Sequence, residues 1–313
     1  MVIGESPAKD AYRLLVWGPW RVALEQGPPG WEYRANRALG ELAARFSRGK
    51  RAEVLANLNR AFSGRDDLEA VATQAFATHF VNQYASFAFG RISADNWTRY
   101  LRIEGMEHID RARSAGQGVV LMHPHTGPAQ LPLAVLGALG HDVHQVGGGE
   151  VAVDKSRVGQ WASKERARLE ARMRVTLHDG TSYLRALLRV LEGGGVVLTA
   201  CDGTGGGKEL GRRLVRPVLG QPMVVPVGAF YMALRGGARL HTLYTVRDPS
   251  DSSRHLSVIG PEVPVARNAR LAEALEQGAD FTAAWLTDVL TRHPGDWLFW
   301  DAFCPGALVV ETA

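Results

Sequence analysis

Gly118-Val-Val-Leu-Met-His-Pro-His-Thr-Gly-Pro-Ala-Gln-Leu131 decides how this chain is read. Val119 to Met122 is a short apolar run, which predicts a buried strand. It breaks into His123-Pro124-His125, then Gly127-Pro128, and a new apolar run starts at Leu131. The pattern predicts a strand, a turn and a helix start. A side chain at the carboxyl end of such a strand faces the crevice where open α/β sheets bind ligands. His125 is therefore the best candidate for a general base, because imidazole titrates near neutrality and can take a proton from an attacking hydroxyl. His123 shares the site, orients His125, or only caps the strand.

Working outward, short apolar runs alternate with helical patterns from residue 100 onward. Strands are predicted at 102–105, 119–122, 142–146, 175–178, 196–201, 240–247 and 255–259. Helices are predicted at 106–115, 131–139, 156–173, 181–192, 224–234 and 280–292. The alternation predicts a mixed, mostly parallel α/β sheet flanked by helices. The first hundred residues read as helical. Arginines run through 31–62, usually the mark of a solvated face, with a surface for anionic lipid as the sharper alternative. Residues 68–89 carry an amphipathic stripe that includes His79, read as a core histidine. We expect residues 1–100 to pack on an α/β core at 101–305 as one integrated unit. Residues 11–25, with Trp17 and Trp20 around Gly18-Pro19, suit either a helix on the core or a membrane interface.

The bulk numbers bound the function. The chain has 313 residues, a net charge of +4 and 46% apolar content. That charge suits an anionic membrane surface, an acidic carrier protein or a phosphorylated ligand, and is too weak to argue for nucleic acid. Cys201 and Cys304 make no disulfide framework and predict a reduced, cytoplasmic setting. The polar start and the lack of a long apolar run predict neither a secretory leader nor a membrane-spanning helix.

Asp202 follows the apolar run 196–201 and is placed to hold a histidine, bind a headgroup or cap a turn. Cys201, inside an apolar strand, reads as an inert buried thiol. Gly203 to Gly207 with Lys208, Arg212, Arg213 and Arg216 forms a basic, glycine-rich loop. It lacks the P-loop pattern but suits phosphate binding; a solvated loop is the plain alternative. His123 and His125 lack a second cluster spaced for a metal. No G-x-S-x-G elbow supports a hydrolase.

His125-Thr-Gly-Pro-Ala-Gln130 resembles the signature of the lysophospholipid acyltransferase superfamily: a histidine, four residues, then Asp or Glu. Within it, the chain is most similar to the bacterial lipid A biosynthesis acyltransferases (lauroyl and myristoyl transferases) and their phosphatidylinositol mannoside relatives. His125 and Gly127 keep that register. Further landmarks come in order across about residues 50–300: Arg51-Ala-Glu-Val-Leu-Ala-Asn-Leu-Asn-Arg-Ala-Phe62, Ile103-Glu-Gly-Met-Glu-His-Ile109, 184–202, Gly220-Gln221-Pro222 with Pro226-Val-Gly-Ala229, and His293-Pro-Gly-Asp-Trp297.

The resemblance implies a glycerolipid-acyltransferase-like fold and transfer of an acyl group to a hydroxyl or amine. The donor it implies is an acyl thioester on acyl carrier protein or coenzyme A, a co-substrate with no further cofactor and no metal. The acceptor would be a lipid or small molecule, and the work would be done in the cytoplasm, peripheral to the inner face of the plasma membrane. His125 would be the base, with Asp202 in support. His123 and Gly127 would line the substrate site. Lys208, Arg212 and Arg213 would meet a phosphorylated donor or acceptor.

Two positions depart from the pattern. Gln130 stands where the acidic partner is expected. A glutamine can fix an imidazole tautomer but offers no charge to an imidazolium. Either Asp202 substitutes, or the acceptor is more acidic than an alcohol or is an amine, or the chain is a non-catalytic acyl-binding relative. The second departure is Gln145-Val-Gly-Gly-Gly149, where lipid A enzymes carry an arginine-proline pair.

Overall fold

The structure, a computed structural model, describes residues 6–147, 155–178, 183–203 and 211–311. The first part of the chain is helical: α1 (Pro7–Leu15), a π-helical turn (Val16–Trp20), α2 (Arg21–Gln26), α3 (Trp31–Phe46), α4 (Arg48–Ala61), α5 (Leu68–Gln83) and α6 (Ser86–Phe89). Ser6 caps α1 by accepting from the Lys9 amide, and Pro7 opens it, where a missing N–H costs nothing. Gly18-Pro19 interrupts the helical path at the π turn.

Strands and helices then alternate: β1 (Leu101–Glu104), α7 (Met106–Ser114), β2 (Val119–His123), α8 (Leu131–Ala138), β3 (Val143–Val146), α9 (Arg157–Glu170), β4 (Thr176–His178), α10 (Tyr183–Glu192) and β5 (Val196–Ala200). Next come the hairpin β6 (Arg213–Val218) and β7 (Gln221–Pro226), then α11 (Gly228–Arg235), β8 (Arg239–Arg247), β9 (His255–Glu262) and α12 (Leu271–Arg292).

Seven strands form the main sheet in the order β1-β9-β8-β2-β5-β3-β4. Five of them, β8, β2, β5, β3 and β4, run parallel. β9 pairs antiparallel with β8 and parallel with β1. The predicted mixed, mostly parallel sheet is what the fold shows. β2 is buried along its whole length, as a central parallel strand with covered faces must be. β5 flanks it on one side and β8 on the other. The residues just after β2 and just after β5 are therefore delivered side by side.

Some boundaries differ from the sequence reading. Val224 to Pro226 belongs to β7, not to a helix, and the hairpin β6–β7 was not anticipated. Its two-residue turn is Leu219-Gly220, both with positive φ. That is the turn geometry hairpins favour, but leucine does not announce it. The last helix begins at Leu271, well before residue 280.

The N-terminal helices share their core with the end of the chain. One cluster joins Leu58, Val71 and Phe76 to Leu286, Trp297, Trp300 and Phe303. Trp17 is buried against the rings of Tyr84 and Phe87 at 6.1 and 5.2 Å. The Trp20 indole donates to Asn36 at 3.1 Å.

Candidate active site

β2 ends at His123, and the chain turns through Pro124 to His125. The β2–β5 ladder runs one bond further, with the Cys201 amide donating to the His123 carbonyl at 2.9 Å. Asp202 therefore emerges beside His125, although 77 residues separate them. The His125 Nδ1 and Asp202 Oδ1 lie 2.7 Å apart. Asp202 Oδ2 accepts two further bonds at 2.7 Å, from the His125 amide and from the Trp297 indole.

This geometry fixes the imidazole. With Nδ1–H donated to Asp202, Nε2 is the nitrogen left to accept a proton. The His125 side chain keeps 32% of its surface exposed, whereas the Asp202 side chain keeps none. A buried carboxylate holding a half-open imidazole is the arrangement general-base chemistry needs. Burial pushes the Asp202 pKa up, but the charge of His125 and the donors from His125 and Trp297 outweigh it, and the net shift is downward.

The turn itself is clamped. The Gly127 amide donates to the Asp296 carbonyl at 2.8 Å, and the Leu298 amide to the His125 carbonyl at 3.0 Å. Thr126 Oγ1 accepts from the Thr245 amide at 3.2 Å, tying the turn to β8. Gly127 has φ +56, and a Cβ there would sit 2.7 Å from the Thr245 carbonyl oxygen. Only glycine fits. The segment after α12 is held in turn by α5: Gln74 donates to Asp296 Oδ2 at 3.1 Å and Thr78 to the Gly295 carbonyl at 2.9 Å.

The other residues singled out in the sequence fall into several places. His123 is buried, its Nδ1 2.9 Å from the Pro124 carbonyl oxygen. Burial, aided by nearby His125, pushes its pKa down to about 4, so it is neutral. Gln130 is the N-cap residue of α8. Among the described residues no hydrogen bond joins it to His125; the expected contact at that position is replaced by Asp202. Cys201 is fully buried, and burial beside Asp202 pushes its thiol up, away from the thiolate a nucleophile needs.

Gly203, the first residue of the basic loop, lies beside His125: a Cβ built on it would sit 3.6 Å from the His125 Cε1. Residues 204–210, with Lys208, lie outside the described residues, as do Gly148 and Gly149. Arg212 pairs with Glu276 of α12 at 3.3 Å, and Arg216 pairs with Glu276 and Asp280. Arg213 opens β6 opposite Pro226. His79 is largely buried, and burial pushes its pKa down. It lines a cavity of about 510 Å³ together with Trp17, Phe76, Phe80, Tyr84 and Trp300. Among the described residues no group of three or more His, Cys, Asp or Glu is arranged to hold a metal ion.

Sequence reasoning missed the part played by Trp297 and by Phe299, whose ring lies 4.6 Å from that of His125. The signal for Trp297 was present in the stretch His293-Pro-Gly-Asp-Trp297, read there only as a landmark of the family resemblance.

A model of one protein family, the bacterial lipid A biosynthesis acyltransferases, matches residues 11–301. The chain belongs to that family. The match takes in the N-terminal helices, the whole sheet and the clamp at Trp297. A search of the curated proteins found no match. Membership makes the lipid A biosynthesis acyltransferase-like chain an enzyme of acyl transfer, acting on an acyl donor and a lipid acceptor. Among the described residues of this family member, no helix is long and apolar enough to cross a membrane.

Proposed function

We propose that His125 is the general base of acyl transfer from a thioester on acyl carrier protein or coenzyme A to a hydroxyl or amine. The observation that carries this reading is the His125–Asp202 pair at the carboxyl ends of two central parallel strands. His125 Nε2 takes the proton of the acceptor as its oxygen or nitrogen bonds to the acyl carbon. The tetrahedral intermediate collapses, the carbon–sulfur bond breaks, and the leaving thiolate takes the proton back from Nε2. The sequence is redox-neutral and closes on acceptor, thioester and imidazole. Asp202 orients the ring and offsets the imidazolium, the work the family signature gives to the residue at 130. Its presence favours a working enzyme over the non-catalytic reading that Gln130 invited.

The cavity of about 510 Å³ supports a substrate with a long apolar chain. Its aromatic lining reaches Trp297 and Leu298, directly behind the catalytic turn, and Arg13 and Arg166 also line it.

The outer face of α1 and α2 supports work at a membrane surface. Its exposed residues Pro7, Ala8, Ala11, Leu14, Leu15, Pro19, Val22 and Ala23 carry no charge. α3 adds exposed Trp31, Leu42 and Phe46 among Arg34 and Arg45, which suits anionic lipid. We place the protein at the cytoplasmic leaflet, where acyl thioesters are made.

The test is turnover of purified protein with acyl-carrier protein or acyl-coenzyme A and lipid acceptors. His125→Ala is expected to lower kcat at least ~100-fold. Undiminished turnover would end this reading.

A further inference from the structure

We propose that the Trp297 indole is a positioning residue of this site: its N–H shares the charge of Asp202, so that His125 returns to a neutral base after each proton transfer. The inference rests on the reading of His125 as the base.

Asp202 is fully buried, where charge interactions are poorly screened. A buried carboxylate whose single donor was the imidazole would hold an imidazolium strongly and keep the ring from returning to the neutral form that accepts a proton. Here Oδ1 alone faces Nδ1, at 2.7 Å. Oδ2 is engaged by two N–H groups, the His125 amide and Trp297 Nε1, each at 2.7 Å. Each donor stabilises the carboxylate by itself and so lessens its call on the imidazole proton. The amide comes with any folded backbone at His125. The indole is the donor that a side chain supplies.

Trp297 cannot swing away while the turn is intact. Its ring meets Trp300 at 4.8 Å, Phe303 at 5.8 Å and Phe299 at 6.1 Å, all near-perpendicular. Its backbone neighbours Asp296 and Leu298 bond the same turn that carries His125. Trp300 is the internal comparison. It is as deeply buried, yet its indole donates to the Pro294 carbonyl, at 2.6 Å.

The experiment replaces Trp297 with 3-benzothienylalanine, which keeps the ring shape and puts sulfur in place of the N–H. Trp297→Phe serves as the genetically simple second variant, and the same replacement at Trp300 as control. The imidazole titration of His125 is followed by 15N NMR, and the acid limb of kcat/KM is measured in parallel. We expect both to move to higher pH by about 0.5 to 1 pH unit in the Trp297 variants, with KM unchanged. The Trp300 control should show neither change. An imidazole titration at its original pH, or one moved downward, overturns the proposal, whatever happens to Tm. The NMR titration needs no turnover. A shift in a protein that transfers no acyl group would sink the functional reading and leave the positioning role standing.

Discussion

At Asp202 two effects oppose each other. Burial alone would favour the neutral acid, but three N–H donors at 2.7 Å favour the anion, and the donors prevail. Asp202→Asn removes the charge while keeping the size. It should lower kcat by about 10³- to 10⁴-fold, as loss of the carboxylate does in related triads, with little change in KM. Steady-state kinetics at saturating donor checks this. His123 gives a prediction of opposite chemistry. The folded protein keeps it neutral down to about pH 4, whereas an unfolded chain takes up the proton near 6.5. Its contribution to stability is therefore complete above pH 6.5 and is lost as pH falls towards 4. The loss amounts to at most ~3 kcal/mol. His255, pushed down to about 3 by burial and by Arg37 and Arg247, loses its contribution over the same range and further down. Urea midpoints measured from pH 7.5 to 4.5 should fall steadily, and His123→Asn should flatten part of that fall.

Among the elements, the segment from α1 to α2 presents two faces of different character. The inner side buries Val16 and Trp17 of the π turn between these helices and Leu24 of α2, and the outer side exposes a run of uncharged residues. The buried face bears out the reading of residues 11–25 as packed on the core, and the exposed face is the one we propose for the membrane, since a helix shows its period of 3.6 to two surroundings at once. Leu15 is 59% exposed, so a charge there leaves the fold intact. Leu15→Asp is expected to weaken binding to vesicles rich in anionic lipid by about tenfold, since burying one leucine contributes ~1.5 to 3 kcal/mol. Co-sedimentation at two salt concentrations measures this, and equal binding by both proteins would remove the membrane face from the picture. The turn after β2 yields a sharper element-scale outcome. Gly127→Ala must place a Cβ 2.7 Å from the Thr245 oxygen at φ +56. The variant should lose ~1 to 3 kcal/mol of stability and most of its activity, because the strain falls on the residue pair next to His125.

The whole molecule is joined by a core that takes from both ends of the chain. Leu58 of α4 packs in one cluster with Leu286, Trp297 and Trp300, and Asn57 donates to the Trp300 carbonyl at 2.7 Å. A cavity opened at Leu58 therefore weakens the helical part and the catalytic clamp together. Leu58→Ala should cost ~2 to 5 kcal/mol. Calorimetry should show one transition shifted to lower temperature, not an early-melting N-terminal part beside an intact remainder. Two separate transitions would contradict the shared core.

Much of this was legible in the residues. The apolar runs at 119–122 and 196–201, each closed by a polar residue, announced buried strands, and glycines marked where helices stop. Hydrophobic period and turn chemistry are local, so they survive in a linear reading. The sequence also placed His125 at a strand end, and the ordered landmarks named the family. Three things belonged to tertiary structure alone. Of the partners the sequence offered His125, Asp202 and not Gln130 is the one in contact, a choice made by β5 lying beside β2 in the sheet while Gln130 starts α8. The hairpin β6–β7 formed around Leu219-Gly220, a turn whose geometry is paid for by packing rather than by residue choice. Trp297 reached Asp202 across 95 residues. Sequence fixes what each segment tends to form; which side chains meet depends on strand order and on the close packing of helices over the sheet, and neither is written in any one stretch.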